Sequence, residues 1–302
     1  MARISGAKTS TTRKNIKTRH SPRQSLKKAL VAQHLALTSL MKFCTLSSGS
    51  GGNASFITDG KTSILVDCGI NAKRVREALN FIGEDPDRLS GIIVTHEHSD
   101  HVAGVGVASR AFDAPVYANL QTMEAMRRQK VFGKLPPEKL IVFQNNESFR
   151  LGTLVIKAFH TSHDAADPVG FTVESGSSKV AILTDTGYIT REAMENVPGA
   201  GAVLLEANHD EEMLKKGGYP YILKQRILST RGHLCNELAA DMAVSLIRSG
   251  TGNIILAHLS RENNLPEVAL HTVLEKAGDA AAACGCKIIV APEKLVSEVI
   301  EC

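Results

Sequence analysis

The densest chemistry in the chain is the run GIIVTHEHSDH, residues 91–101. His96 and His98 are two apart, so in an extended segment both imidazoles point to one side. Asp100 and His101 follow at a turn before an amphipathic stretch. A tetrahedral ion draws its ligands from separated loops, and four donors within six residues crowd a single ion. The spacing therefore reads as a two-ion site, with His96 and His98 on one ion and Asp100 and His101 on the other. A lone histidine reads as a satisfied polar side chain, whereas an HxHxDH run between an apolar strand and a helix carries a mechanism.

The elements around this run alternate in the manner of an α/β chain. Strand patterns fall at 42–46, 54–58, 63–67, 91–95, 115–118, 154–158, 170–174, 179–185, 202–206, 253–257 and 287–291. Helical patterns fall at 73–82, 102–111, 121–129, 191–195, 237–248 and 266–277. For 237–248 the expected N-cap is Asn236, and Leu238, Met242 and Leu246 form the expected buried face. Several strands end in polar residues able to hold a metal: Asp67, His96 just past Thr95, Asp185, Glu206 and His258. Rigid strands that deliver such residues to their ends build one site on a sheet edge.

With these residues in place, the chain resembles the metallo-β-lactamase superfamily, whose HxHxDH motif follows a buried strand in this way. The resemblance covers 41–302 and implies an α/β fold, a four-layer αββα sandwich with a dinuclear site where the two sheets meet. It implies that Asp67 (ILVDCG) orients the site from behind the ligands. His163 (HTSHDA) would be the third histidine of the first ion, with His160 as its competitor. Asp185 (LTDTG) would bridge both ions and His258 (ILAHLS) would complete the second. Zinc, manganese and iron all suit this mixed imidazole and carboxylate set.

Within the superfamily the segments LSSGSGGNASF, LLEANHDEEML, YPYILKQRILSTRGHLCN and HLSRENN resemble the YycJ/WalJ group of DNA-processing nucleases, which implies 5′ to 3′ exonuclease activity. Glu206 and His233 also sit where tRNA-processing enzymes of the RNase Z type place an acid and a phosphate-facing histidine. Cys235 and Cys68 depart from that pattern without removing a ligand. The expected reaction is two-metal hydrolysis of a phosphodiester. Asp100 would bind metal and take a proton from water, and His233, beside the start of helix 237–248, would serve the leaving side. Other readings stand beside these. His233 could be a plain loop histidine, and Glu206 with His209 the polar end of a buried strand. The run 47–53 could cradle phosphate or form a tight turn. Arg261 and Asn263 could meet phosphate, or Arg261 could pair with Glu262 or Glu267. RNase Z-like RNA processing, a small-molecule phosphodiesterase and a glyoxalase or lactonase remain as alternative functions, though the last leaves KQRILSTRGH unexplained. Too few residues separate Asp185 from His258 for the inserted domain of β-CASP nucleases.

Composition bounds these readings. Apolar residues at 43% and charged residues at 22% suit a folded globular chain. No apolar stretch is long enough to span a membrane. The six cysteines form no CxxC pair and are expected as reduced thiols in the cytoplasm, with Cys284 and Cys286 as core fillers. Of 35 Lys and Arg, nine lie in residues 1–40, which hold no acid. The remaining 26 face 31 Asp and Glu, so the body is net −5. Residues 1–40 are expected to be a disordered basic extension outside the fold. A nucleic-acid-binding arm, a transit peptide or translation starting at Met41 would each account for it. If the substrate is DNA, phosphate affinity must come from that extension or from a local patch, for which Arg74, Arg76, Lys224, Arg226, Arg231 and Arg261 are the candidates.

Overall fold

The computed structural model describes residues 40–302, so the expectations for the basic extension lie outside the described residues. In chain order the first half runs β1 (Lys42–Ser47), β2 (Ala54–Thr58), β3 (Ser63–Val66), α1 (Ala72–Phe81), β4 (Leu89–Ile93), α2 (Ser99–Val102), α3 (Val105–Ala111), β5 (Val116–Ala118), α4 (Leu120–Arg128) and β6 (Leu140–Val142). The second half runs β7 (Ser148–Leu151), β8 (Leu154–His160), β9 (Val169–Ser175), β10 (Ser178–Leu183), α5 (Arg191–Asn196), β11 (Ala202–Glu206), α6 (Glu211–Lys216), α7 (Tyr221–Ile227), α8 (Asn236–Arg248), β12 (Asn253–Ala257), α9 (Pro266–Cys284), β13 (Lys287–Val290) and β14 (Ile300–Glu301).

Two seven-stranded sheets form, in the orders β14-β1-β2-β3-β4-β5-β6 and β13-β12-β11-β10-β9-β8-β7. Their strands read as continuous apolar runs because both faces are covered. Alternate residues go to different layers. Ile64 and Val66 of β3 meet Phe171, Ile182 and Ile255 between the sheets. Leu65 faces Val75 and Leu79 of α1. On the other sheet Ala181, Leu183, Val203 and Leu205 pack against Ala239, Ala243 and Leu246 of α8. The layers are thus helix, sheet, sheet, helix, the expected αββα sandwich. Among the described residues no helix is long and apolar enough to cross a membrane.

Several local expectations are corrected. The helical stretch 102–111 is two helices, because Gly104 N–H donates to Cys68 O (2.8 Å) while Asp100 O accepts from Asn53 N–H (2.7 Å), which breaks the i→i−4 ladder. Asn236 is not the N-cap. Cys235 holds that position without a side-chain cap, and Asn236 instead exchanges two hydrogen bonds with Asn264 (3.1 and 2.9 Å). Leu238 is exposed, and Ala239 and Ala243 take its place on the buried face. The basic run after Tyr219, for which the sequence pattern offers no element, contains helix α7. Cys286 is buried but Cys284 is exposed, so only one of the two fills the core. All six cysteines are free.

Candidate metal centre

Strands β3, β4, β8, β10, β11 and β12 run in a common sense within their sheets, through parallel pairs β3–β4, β10–β11 and β11–β12 and the antiparallel relay β8–β9–β10. Their C-terminal ends therefore lie on one edge, the place where α/β sheets present ligand-binding loops. Asp67, His96, His163, Asp185, Glu206 and His258 all stand at or just beyond those ends. Asp67, Asp185 and His258 adopt positive φ (59°, 57° and 56°). Non-glycine residues rarely occupy that region, and such strain collects at functional sites.

The HxHxDH turn is clamped from behind by the loop after β3. Cys68 N–H donates to His101 O (2.8 Å). Gly69 packs so closely that a Cβ there would sit 1.7 Å from Asp100 O. Asp67 accepts from Thr95 N–H and Thr95 Oγ1 (both 2.8 Å) and from His101 Nδ1 (2.8 Å). That leaves His101 Nε2 facing forward. Ser48, in the β1–β2 turn, accepts from His258 N–H (2.9 Å). The 47–53 run thus turns the chain and also positions a strand end.

Among the described residues two donor groups follow the HxHxDH spacing, and overlapping sets, His96–His101–Asp185 and Asp185–Glu206–His233–His258, adjoin them. His96, His98 and His163 place their nitrogens within 4.8 Å of one another, and so do the donors of Asp100, His101 and His258. His163 Nε2 lies 3.3 Å from His98 Nδ1. Asp100 Oδ2 lies 3.3 Å from His258 Nε2 and 3.5 Å from His101 Nε2. Asp185 sits between the groups, with Oδ1 3.7 Å from His163 Nε2 and 3.5 Å from His258 Nε2, and Oδ2 3.4 Å from His101 Nε2. His160 is elsewhere: its ring lies against Glu192, Asn145 and Asp167.

The donor chemistry fits divalent cations. His96 Nε2 and Asp185 Oδ2 are buried with no hydrogen-bond partner, an arrangement that is costly without an ion. Burial and the neighbouring histidines hold His96 well below its ordinary pKa, leaving a neutral ligand. Burial likewise lowers His163. Burial opposes charge on His258 too, but Asp185, Asp100 and Glu206 outweigh it and raise its pKa to about 10. The same balance, through Asp185 and Asp67, puts His101 well above its usual value. The carboxylates thus draw positive charge to this edge.

A cleft of about 350 Å³ opens over the two groups, reaching His98, Asp100, His163, Asp185 and His258, with Arg226 and His233 on its wall. His233 Nδ1 lies 2.7 Å from Glu206 Oε1, leaving Nε2 for the cleft. Glu206 is fully buried and its Oε2 accepts from Thr186 and Leu234 N–H groups (2.8 and 3.3 Å). Its carboxylate is thus engaged inside the protein, beneath the His233 ring, rather than lining the cleft. Asn263 is also buried, against Ser260. Arg261 pairs with Glu293, not Glu262 or Glu267. Asn53 was missed by the sequence reading, although its amide lies 3.2 Å from Asp100 Oδ2 and 3.0 Å from His101 Nε2. It closes a glycine-rich turn, and such asparagines read as turn formers first.

The profile described as beta-lactamase superfamily domain matches residues 62–258. Exodeoxyribonuclease YycJ of Bacillus anthracis is 39% identical over 241 residues, covering 79% of this chain and 90% of that protein. Exodeoxyribonuclease WalJ of Streptococcus pneumoniae is 38% identical over 244 residues, covering 81% and 91%. Among solved structures, the metallo-beta-lactamase fold protein YhfI from Bacillus subtilis superposes with a TM-score of 0.61 at 20% identity, covering 85% of this chain and 99% of that one.

Proposed function

The chain belongs to the β-lactamase superfamily, and from that premise we propose that it is a two-metal phosphodiesterase that degrades DNA from 5′ ends. It is a metal-dependent hydrolase of the αββα fold. The observation that carries the phosphodiester reading is the His233–Glu206 pair set over two adjoining donor groups. The relatives that match about four fifths of the chain are exodeoxyribonucleases by name, which favours DNA.

In this reading His96, His98 and His163 would hold one ion and Asp100, His101 and His258 the other, with Asp185 placed to serve either group. Bound there, divalent cations such as zinc, manganese or iron would supply Lewis acidity toward a phosphoryl oxygen and lower the pKa of water. The chain's own groups do the rest. Asp100, at the cleft floor, takes a proton from the attacking water. Glu206 fixes the tautomer of His233 by accepting from Nδ1–H, so that Nε2 faces phosphate and serves the leaving oxygen. Arg226 supplies a permanent cation at the cleft wall. Residues 41–302 are the hydrolase domain in this reading, and unpaired thiols suit the cytoplasm.

The test is protein prepared with added zinc or manganese against 5′-labelled duplex DNA, single-stranded DNA, precursor tRNA and a thioester. Release of mononucleotides from 5′ ends of DNA is the expected result. Cleavage of the tRNA alone would move the enzyme to RNA processing, and turnover of the thioester alone would overturn the phosphodiester reading. Elemental analysis of Asp185→Ala should show loss of bound metal, and wild-type content would refute the ligand set.

A further inference from the structure

Beside the metal cleft lies a second chamber of about 150 Å³, and the two share Ser50, His163, Arg226 and His233 on their walls. Its remaining lining differs in character. Tyr219, Leu223 and Ile227, from α7 and the turn before it, give an apolar side. Asn208 and Ser260, with the Asp164 carboxylate that faces Arg226, give a polar side. Ser260 Oγ accepts from Asn263 N–H (3.2 Å), so its own hydrogen is free to donate. Arg226 is the one Lys or Arg lining either chamber, and it stands where they join, paired with Asp164.

A flat aromatic group fits an aromatic and aliphatic wall, an anion fits the arginine at the junction, and the metal cleft lies one step further on. Pockets for drug-sized ligands run to about 300–1,000 Å³, so this chamber has room for one ring system and not for a run of bases. We propose that it receives the terminal nucleoside of a DNA strand, its base against Tyr219, with the adjoining phosphate at Arg226 and the first internucleotide bond over the donor groups. The inference rests on the nuclease reading and deepens it, because the chamber selects strand ends. An internal nucleotide placed there would have to carry the rest of its strand past the wall formed by Leu223, Arg226 and Ile227. Two small polar groups read little of a base edge, so the preference is for any base over none, as stacking sites show.

Titration of the zinc- or manganese-loaded protein with deoxyadenosine 5′-monophosphate and with 2-deoxyribose 5-phosphate tests this. The nucleotide should bind more tightly than the sugar phosphate. Tyr219→Ala should weaken it about 5- to 100-fold, the range for one lost base stack, while leaving the sugar phosphate unchanged. Tyr219→Phe should restore binding, Leu223→Ala should weaken it, and Tyr221→Ala, on the exposed outer side of the helix, should match the wild type. On DNA, linear single strands should be degraded and closed circles spared, with Tyr219→Ala raising KM and leaving kcat within about twofold. Equal binding of the two probes, or a Tyr219→Ala protein that binds and digests like the wild type, overturns the chamber while leaving the nuclease reading intact. Tyr219-dependent nucleotide binding without cleavage of any DNA keeps the nucleoside site and removes the nuclease reading.

Discussion

The His233 ring is held from beneath by a carboxylate that sees no solvent, and this division of labour separates two substitutions. His233→Ala removes the group that faces phosphate, so phosphodiester cleavage should fall about 10²–10⁴-fold. Metal content should stay normal, because His233 Nδ1 is taken by Glu206 (2.7 Å), and loss of an ion would instead assign the ring to the adjoining group with Asp185, Glu206 and His258. Glu206→Gln keeps the ring but loosens it, and Glu206 Oε1 also lies 3.4 Å from His258 Nδ1. A loss of about 10–100-fold in activity or metal affinity is expected, the usual cost of removing a group behind a ligand. Equal effects of both changes would mean that His233 and Glu206 act only as a structural pair. His209 makes a different prediction. It is buried, neither ring nitrogen has a partner, and burial lowers its pKa to about 4. The unfolded chain takes up that proton near pH 6.5, so stability is lost as pH falls from about 6.5 to about 4, by at most about 3 kcal/mol. Melting curves across that window should show a shallower acid loss for His209→Leu than for the wild type, and parallel curves would contradict the shift.

At the scale of elements, α7 and the loop behind it carry both the Arg226 wall and the backbone support of a ligand. His163 Nδ1 donates to Gly232 O (2.8 Å), and Gly232 is pressed so hard on the end of α7 that a Cβ would lie 2.0 Å from Ile227 O. Gly232→Ala must push helix or loop aside. Denaturant unfolding should show a loss of about 1–3 kcal/mol, and metal titration should show weaker binding at the His163 group. Unchanged values for both would mean that the contact is easily relieved. This helix was also the element least visible in the sequence. It is seven residues long, begins after a proline, and leaves Tyr221 and Ile222 exposed, so it has no clean buried stripe to signal a helix. Strand β6 was missed for a related reason, since it is three residues with Ile141 and Val142 exposed at a sheet edge. The long central strands were legible because burial on both faces demands unbroken apolar runs, and β2, β11 and β12 match the sequence pattern to the residue. The donor candidates stood out because Asp67, Asp185 and His258 closely follow such strands and His96, His98, Asp100 and His101 lie in one HxHxDH turn. The role of Glu206 did not, since burial and the use of both its oxygens depend on β11 pairing with its neighbours.

For the whole molecule the question is where phosphate affinity comes from. The body is net −5 and most of its patch candidates are already engaged. Arg76 pairs with Asp87 and Arg261 with Glu293, while Arg226, held beside Asp164, serves the single phosphate at the cleft. Arg231 donates to His163 O and Lys224 to Lys215 O. Residues 1–40 carry nine Lys and Arg and no Asp or Glu. In the proposed function, long-range attraction to DNA would fall to that segment, while the cleft would supply chemistry and end selection. Each phosphate neutralised on duplex DNA contributes about −0.9 to the slope of log affinity against log salt. Deleting residues 1–40 should flatten that slope by several units and cost most at low salt. The thermal midpoint should hold within about 2 °C, since a segment so poor in apolar residues contributes little burial. Cleavage of a short oligonucleotide at saturating concentration should be unaffected, because no ligand or cleft residue is removed. An unchanged salt slope would return the phosphate contacts to the body, with Arg74 and Lys224 the first positions to substitute. A midpoint several degrees lower would instead make the extension part of the folded domain.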